Sequence, residues 1–139
     1  MKQPMIQIRK IDHIVLRSAN VPGMIRFYRD VLGCTVEREL SPRTGLTQLR
    51  AGDALIDLVA VDSELGRAGG GPPTATENSM DHFCLELEAV SEDELRAWLA
   101  AHGIDCGAFE SRYGAAGFGP SVYIRDPDGN TLELRPATA

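Results

Sequence analysis

Residues 121–135 read Ser121-Val122-Tyr123-Ile124-Arg125-Asp126-Pro127-Asp128-Gly129-Asn130-Thr131-Leu132-Glu133-Leu134-Arg135. Val122, Tyr123 and Ile124 are β-formers, and Asp126 to Asn130 is dense turn chemistry. The chain then returns as a second strand in which Leu132 and Leu134 share one face and Glu133 takes the other. If the sheet curls, that second face is also interior. A carboxylate there needs a cation or a strong donor, because an unpaired buried charge costs several kcal/mol. What Glu133 touches therefore decides the reading of the chain.

Outward from that hairpin, the same pattern occurs twice. Ile11-Asp12-His13-Ile14-Val15-Leu16 is matched by Met80-Asp81-His82-Phe83-Cys84-Leu85, and Ile56-Asp57-Leu58 by Leu132-Glu133-Leu134. His13 and His82 lie 69 positions apart, Gly33 and Gly103 lie 70 apart, and Asp57 and Glu133 lie 76 apart. Loops absorb such drift between internal repeats. Within the first copy, a strand at 11–16 leads to a helix over 24–32, where Met24, Phe27, Tyr28, Val31 and Leu32 fall at helical spacing and Gly33 marks the stop. A strand at 34–40 and a hairpin of 46–50 with 54–61 complete it. In the second copy Ser91 and Glu94 form a capping box for a helix through Leu95, Trp98 and Leu99 to Gly103, with all three side chains in the core. His102 caps the end of that helix. A short strand at 104–109 and a Gly-rich loop at 113–119 then precede the hairpin of 121–135.

Each copy reads βαβββ. The expected fold is α+β, one domain over 1–139 made of module 1 (9–61), a Gly/Pro-rich mobile linker or lid (62–79) and module 2 (80–136). The two modules pair about an approximate two-fold axis into a half-open curved sheet. With 139 residues and 43% hydrophobic content, the chain is long enough for one core. A net charge of −6 without a Lys/Arg cluster excludes nucleic acid as a partner. No apolar run is long enough to cross a bilayer, and the N-terminal residues lack a signal-peptide core. Cys34, Cys84 and Cys106, odd in number and widely spaced, read as buried small hydrophobes in a reducing cytoplasm.

A two-fold relation brings equivalent positions together near its axis. His13, His82, Asp57 and Glu133 are thus expected to converge as imidazole and carboxylate donors for Zn²⁺, Ni²⁺, Fe²⁺, Mn²⁺ or Co²⁺. Asp12 and Asp81 point to the other strand face and are poor ligand candidates. Asp57 is one methylene shorter than Glu133, and is read as a water-mediated contact, a base, or an exposed hairpin-edge residue. Gln48 faces Asp57 across the hairpin and is a candidate to line the substrate cup. Arg67, Arg112 and Tyr113, in or beside Gly-rich segments, are candidates to clamp an anionic substrate. Tyr123 is either a substrate hydrogen-bonding group or a core aromatic.

These motifs, together with Phe27-Tyr28-Arg29-Asp30-Val31-Leu32-Gly33 and Asp126-Pro127-Asp128-Gly129-Asn130-Thr131-Leu132-Glu133, resemble the vicinal-oxygen-chelate superfamily: glyoxalase I, bleomycin- and fosfomycin-resistance proteins, and extradiol dioxygenases. Gly114 to Pro120 running into Ser121 to Pro127 is similar to the glyoxalase domain-containing subgroup. The resemblance implies one divalent metal ion per site, with His13, His82 and Glu133 as ligands and Asp57 where glyoxalase I places a glutamate that moves the proton. It implies lyase or isomerase chemistry on a small molecule with vicinal oxygens, with Asp57, Glu133 and Tyr123 as catalytic groups. Extradiol ring cleavage is the second enzymatic expectation, weakened because Ala115, Ala116, Gly117 and Phe118 occupy the region of that signature's histidine. Metal-free ligand sequestration is the non-enzymatic one. The resemblance also implies a homodimer, with His13 and Asp57 drawn from one chain and His82 and Glu133 from the other, or all four from one.

Overall fold

The computed structural model describes residues 5, 7–74 and 80–138. Strand β1 (His13–Ser18) leads into helix α1 (Val21–Arg26), which continues as a π-helical turn (Phe27–Val31). Strands β2 (Thr35–Glu39), β3 (Leu46–Ala51) and β4 (Ala54–Ala60) follow. After the short helix α2 (Glu64–Arg67) come β5 (Phe83–Leu87), helix α3 (Glu92–Ala101), β6 (Glu110–Gly114), β7 (Gly117–Arg125) and β8 (Thr131–Pro136). The strands form two four-stranded sheets of identical order, β1-β4-β3-β2 and β5-β8-β7-β6. In each, the first strand pairs parallel with the last and the other pairings are antiparallel. The fold is α+β, a βαβββ plan used twice, as the repeated Asp-His and Asp57/Glu133 motifs predict.

By contacts the chain forms two compact units. The first runs to Val21 and from Tyr28 to Pro72; the second takes Pro22–Phe27 and the chain from Pro73 onward. In the first, Leu16, Leu49, Ile56 and Leu58 share one sheet face and are buried. In the second, Val122, Ile124, Leu132 and Leu134 are buried, with Met24, Phe27, Leu95 and Leu99 from its helices. Both last strands are also covered on the opposite face, so Asp57 is only 3% exposed and Glu133 only 7%. The carboxylate opposite two leucines does lie in an interior.

Several expectations are corrected. Residues 104–109 are not a strand. Despite its apolar residues this stretch follows Gly103 at positive φ and contains Gly107, and no ladder forms there. The strand lies further on, within what reads as a Gly-rich loop at 113–119, because Gly114 pairs with Gly117 and closes a two-residue hairpin turn. The helix expected at 24–32 begins at Val21 and changes to π geometry at Phe27. Trp98 is not core: it is half exposed and lies against His102 with ring centroids 4.5 Å apart. His102 is the C-cap of α3, as expected. Of the cysteines only Cys34 is buried, whereas Cys84 is exposed.

The first part of the expected linker is ordered structure; its residues 75–79 lie outside the described residues. Ser63 caps α2 by accepting from the Gly66 amide, and its hydroxyl donates to the Ala60 carbonyl at 2.6 Å. Arg17, on β1, donates to the carbonyls of Gly66, Gly70 and Gly71. A single guanidinium thus satisfies backbone acceptors that a Gly-rich segment leaves unpaired. A Cβ at Gly66 would lie 1.8 Å from the Ala60 carbonyl oxygen, while one at Gly71 would meet nothing within 4 Å. Gly66→Ala is therefore expected to lower stability by about 1–3 kcal/mol, with Gly71→Ala near neutral. Equal effects in chemical denaturation would contradict this packing.

Candidate functional site

In the second unit the alternation of β5, β7, β8 and β6 puts Cys84, Tyr123, Glu133 and Arg112 on one face, since Cys84 and Tyr123 both pair with Glu133. His82, just before β5, joins them. Its Nε2 is 3.2 Å from Glu133 Oε1, and its Nδ1 is 2.7 Å from Asp81 Oδ2. A neutral imidazole carries one N–H and serves only one of these two carboxylates. The other requires a second proton or a cation shared with Nε2. Tyr123 stands edge-on to His82, with centroids 5.2 Å apart at 86°. The Arg112 guanidinium lies over the Tyr123 ring, 4.5 Å from its centroid, and donates to Ser121 O, Ser121 Oγ and Glu110 Oε2.

The first unit repeats half of this arrangement. His13 Nδ1 is 2.8 Å from Asp12 Oδ2. Asp57 lies on the same sheet face, because Val15 pairs with Asp57 and His13 with Leu55. Gln48 donates to Asp57 Oδ2 at 3.2 Å, as its cross-strand position predicts. Asp57 Oδ1 is buried without a hydrogen-bond partner among the described residues. The hydrogen bond that His13 Nδ1 donates to Asp12 raises the His13 pKa above its ordinary value of 6.5, against a lowering by desolvation and with help from the Asp57 charge. The same bond lowers the Asp12 pKa below 3.8. The imidazole's contribution to stability is thus complete below 6.5 and fades as pH rises through the raised value. That of Asp12 is present above 3.8 and fades as pH falls through the lowered one.

Asp12 and Asp81 are the residues that the sequence reading undervalues. Neither is placed as a ligand, but each engages the Nδ1 of the histidine that follows it, which leaves Nε2 as that ring's remaining donor atom. This is the outer-sphere arrangement that orients a ligating histidine, and the repeated Asp-His dipeptide is its sequence signal. The donor chemistry fits a first-row divalent ion: imidazole nitrogen with carboxylate oxygen, one oxygen of Asp57 lacking any partner, and His82 placed between two anions. Among the described residues no three His, Cys, Asp or Glu side chains stand together as a ligand set; the pairing shown is His82 with Glu133.

The remaining candidates divide. Arg112 faces the His82/Glu133 side. Tyr113 alternates to the other face of β6, is 74% exposed, and packs edge-on against Phe118 at 5.0 Å. Arg67 is exposed in the last turn of α2. The Cys84 thiol is pushed up to about 11, by desolvation first and then by the Glu133 charge, which leaves it a poor nucleophile.

Comparison with known proteins identifies the family of the fold. The chain is 32% identical over 127 residues to a virulence protein of Salmonella typhimurium, covering 91% of this chain and 83% of that one. Its fold is similar to an integron cassette protein from Vibrio cholerae, with a TM-score of 0.74, 26% identity, and coverage of 96% and 99%. It is also similar to a lactoylglutathione lyase from Agrobacterium tumefaciens, with a TM-score of 0.68, 26% identity, and coverage of 94% and 96%. The family model described as the Glyoxalase/Bleomycin resistance protein/Dioxygenase superfamily matches residues 10–134, nearly the whole repeat, and the chain belongs to that superfamily.

Proposed function

We propose that this chain is a divalent-metal-dependent enzyme with glyoxalase-like lyase or isomerase activity toward a small substrate bearing vicinal oxygens. The observation that carries the reading is the repeated half-site. In each unit an imidazole whose Nδ1 is engaged by the preceding aspartate shares a sheet face with a buried carboxylate. His13, His82 and Glu133 would hold the ion, and the unpartnered Oδ1 makes Asp57 either a fourth ligand or the proton carrier. The ion, when bound, supplies Lewis-acid stabilisation of negative charge on chelated oxygens.

The chain's own groups do the rest. Gln48 fixes one oxygen of Asp57 and so directs the other toward a proton beside the chelated carbonyl. Tyr123 is held between Arg112 and His82, and its hydroxyl hydrogen-bonds a substrate oxygen. Arg112, with Arg67 and Tyr113 more peripheral, contributes to substrate binding. A ring-cleaving dioxygenase is the second enzymatic reading and draws on the same Tyr123 beside His82. Metal-free ligand sequestration is the non-enzymatic reading, and the direct His82–Glu133 contact speaks for it, because the two side chains already partner each other. Turnover of glyoxal hemithioacetals, oxygen uptake with catechols, and neither activity correspond to the three readings.

Metal binding tests the ligand set apart from turnover. In calorimetric titration of metal-free protein with Zn²⁺ or Co²⁺, His82→Ala and Glu133→Gln should each abolish tight binding. Asp81→Asn should weaken it about 10–100-fold by freeing Nδ1. Tight binding retained in both ligand variants would contradict the assignment. A second measurement addresses orientation. In metal-free protein His13 should titrate above 6.5 by NMR, and Asp12→Asn should bring it down. An unchanged His13 titration in that variant would mean that Asp12 does not hold the ring.

A further inference from the structure

The charge on Glu133's sheet face that the proposed chemistry leaves unused is Arg135. Alternation along β8 puts its side chain on the Glu133 face, where it is only 8% exposed. Its Nη2 donates to the Gly117 carbonyl, and its Nη1 is buried without an acceptor. Among the described residues no carboxylate lies within 4.0 Å of its guanidinium: Glu86, its ladder partner on β5, is exposed and forms no ion pair with it, and Glu110 is taken by Arg112. A buried cation with one neutral acceptor is costly, by several kcal/mol in the absence of a counter-charge.

Space is kept for it. A Cβ at Gly114 would come within 2.9 Å of Arg135 Cζ and Nη1, and one at Gly119 within 3.2 Å of Nη2. The atoms against the guanidinium are thus backbone of a hairpin whose two-residue turn is flanked by glycines, a segment that shifts at low cost. Arg112 pairs with Gly119 in the ladder and donates to Ser121, while Ser121 lies one step beyond the Val122–Leu134 pair and therefore beside Arg135. The two arginines flank one patch around Gly119 and Ser121. His82 and Glu133 lie further along the same face, with Tyr123 between.

We propose that Arg135 and Arg112 form an oxyanion subsite that binds an anionic group, carboxylate or phosphate, carried by the substrate at a distance from its chelated oxygens. The anion replaces the Gly117 carbonyl as the partner of Arg135, gives Nη1 its missing acceptor, and supplies the opposite charge that a carbonyl lacks. This inference rests on the function proposed above only in making the anion part of the substrate, since the subsite itself needs no metal.

The test uses metal-stripped full-length protein titrated with inorganic phosphate and, separately, with acetate, against chloride at matched ionic strength, read by calorimetry and thermal midpoint. Saturable binding of one of these anions is expected, and which one identifies the substrate's charged group. Arg135→Met should weaken it about tenfold or more while leaving the anion-free midpoint unchanged or higher, because it removes an unpaired buried cation. A merely structural arginine would instead lower that midpoint. Should that variant not fold, Gly119→Ala, which presses a methyl on Nη2, and Arg112→Gln must each show the weakening. No saturable binding of either anion to the wild type, or binding unchanged in Arg135→Met and Arg112→Gln, overturns the subsite. Neither result touches the metal titration, which stands or falls on His82 and Glu133.

Discussion

A buried carboxylate must be answered by something, and in this fold it is buried twice, at the same place in the same supersecondary plan. Asp57 on β4 and Glu133 on β8 sit on strands covered on both faces. Ile56 and Leu58 beside Asp57, and Leu132 and Leu134 beside Glu133, supply the hydrophobic burial that closes each unit, so the acids cannot move to solvent without a register slip that would expose the core. Glu133 is answered by His82, and Asp57 in part by Gln48, with one oxygen left over. The incomplete compensation of Asp57 is the structural reason to look for a cation.

The βαβββ order explains why these positions are the ones available. Parallel pairing of first and last strands in each sheet brings the residues after Asp12 and Asp81 next to the strands that carry the acids. The histidines enter their strands from an exposed end, so each ring keeps a preceding aspartate at its Nδ1. The repeat has also diverged. In the second unit a neighbouring tyrosine and two arginines extend the His/Glu face into a charged surface; in the first, Arg17 is used to tie down the Gly66–Gly71 backbone. The same strand order thus carries two unlike sets of side chains.

How much of this could be read from sequence follows from range. Alternation and the spacing of Asp-His motifs are local and periodic, and they gave the repeat, the strands bearing His13, Asp57 and Glu133, the cross-strand contact of Gln48 and the burial of Glu133. The errors occur where glycine has more than one use. Gly114 and Gly117 read as a loop because they close a turn, but they also end two strands, and Gly114 and Gly119 make room for Arg135. Likewise 62–74 reads as linker by composition, while its order comes from Arg17, a partner about 50 residues away whose reach no local pattern reveals. Trp98 shares helical spacing with Leu95 and Leu99 but falls at the edge of the buried stripe, where spacing alone does not separate core from rim. Arg135 could have been found, since alternation places it with Glu133, but its missing acceptor is visible only in three dimensions.

The proposed function rests most directly on His13 and His82 binding the same ion. X-ray absorption on Co²⁺- or Zn²⁺-loaded protein counts the imidazoles bound to each ion. The account predicts two in the wild type, one in His13→Ala and one in His82→Ala, with oxygen donors completing the shell. One imidazole or none in the wild type would contradict it.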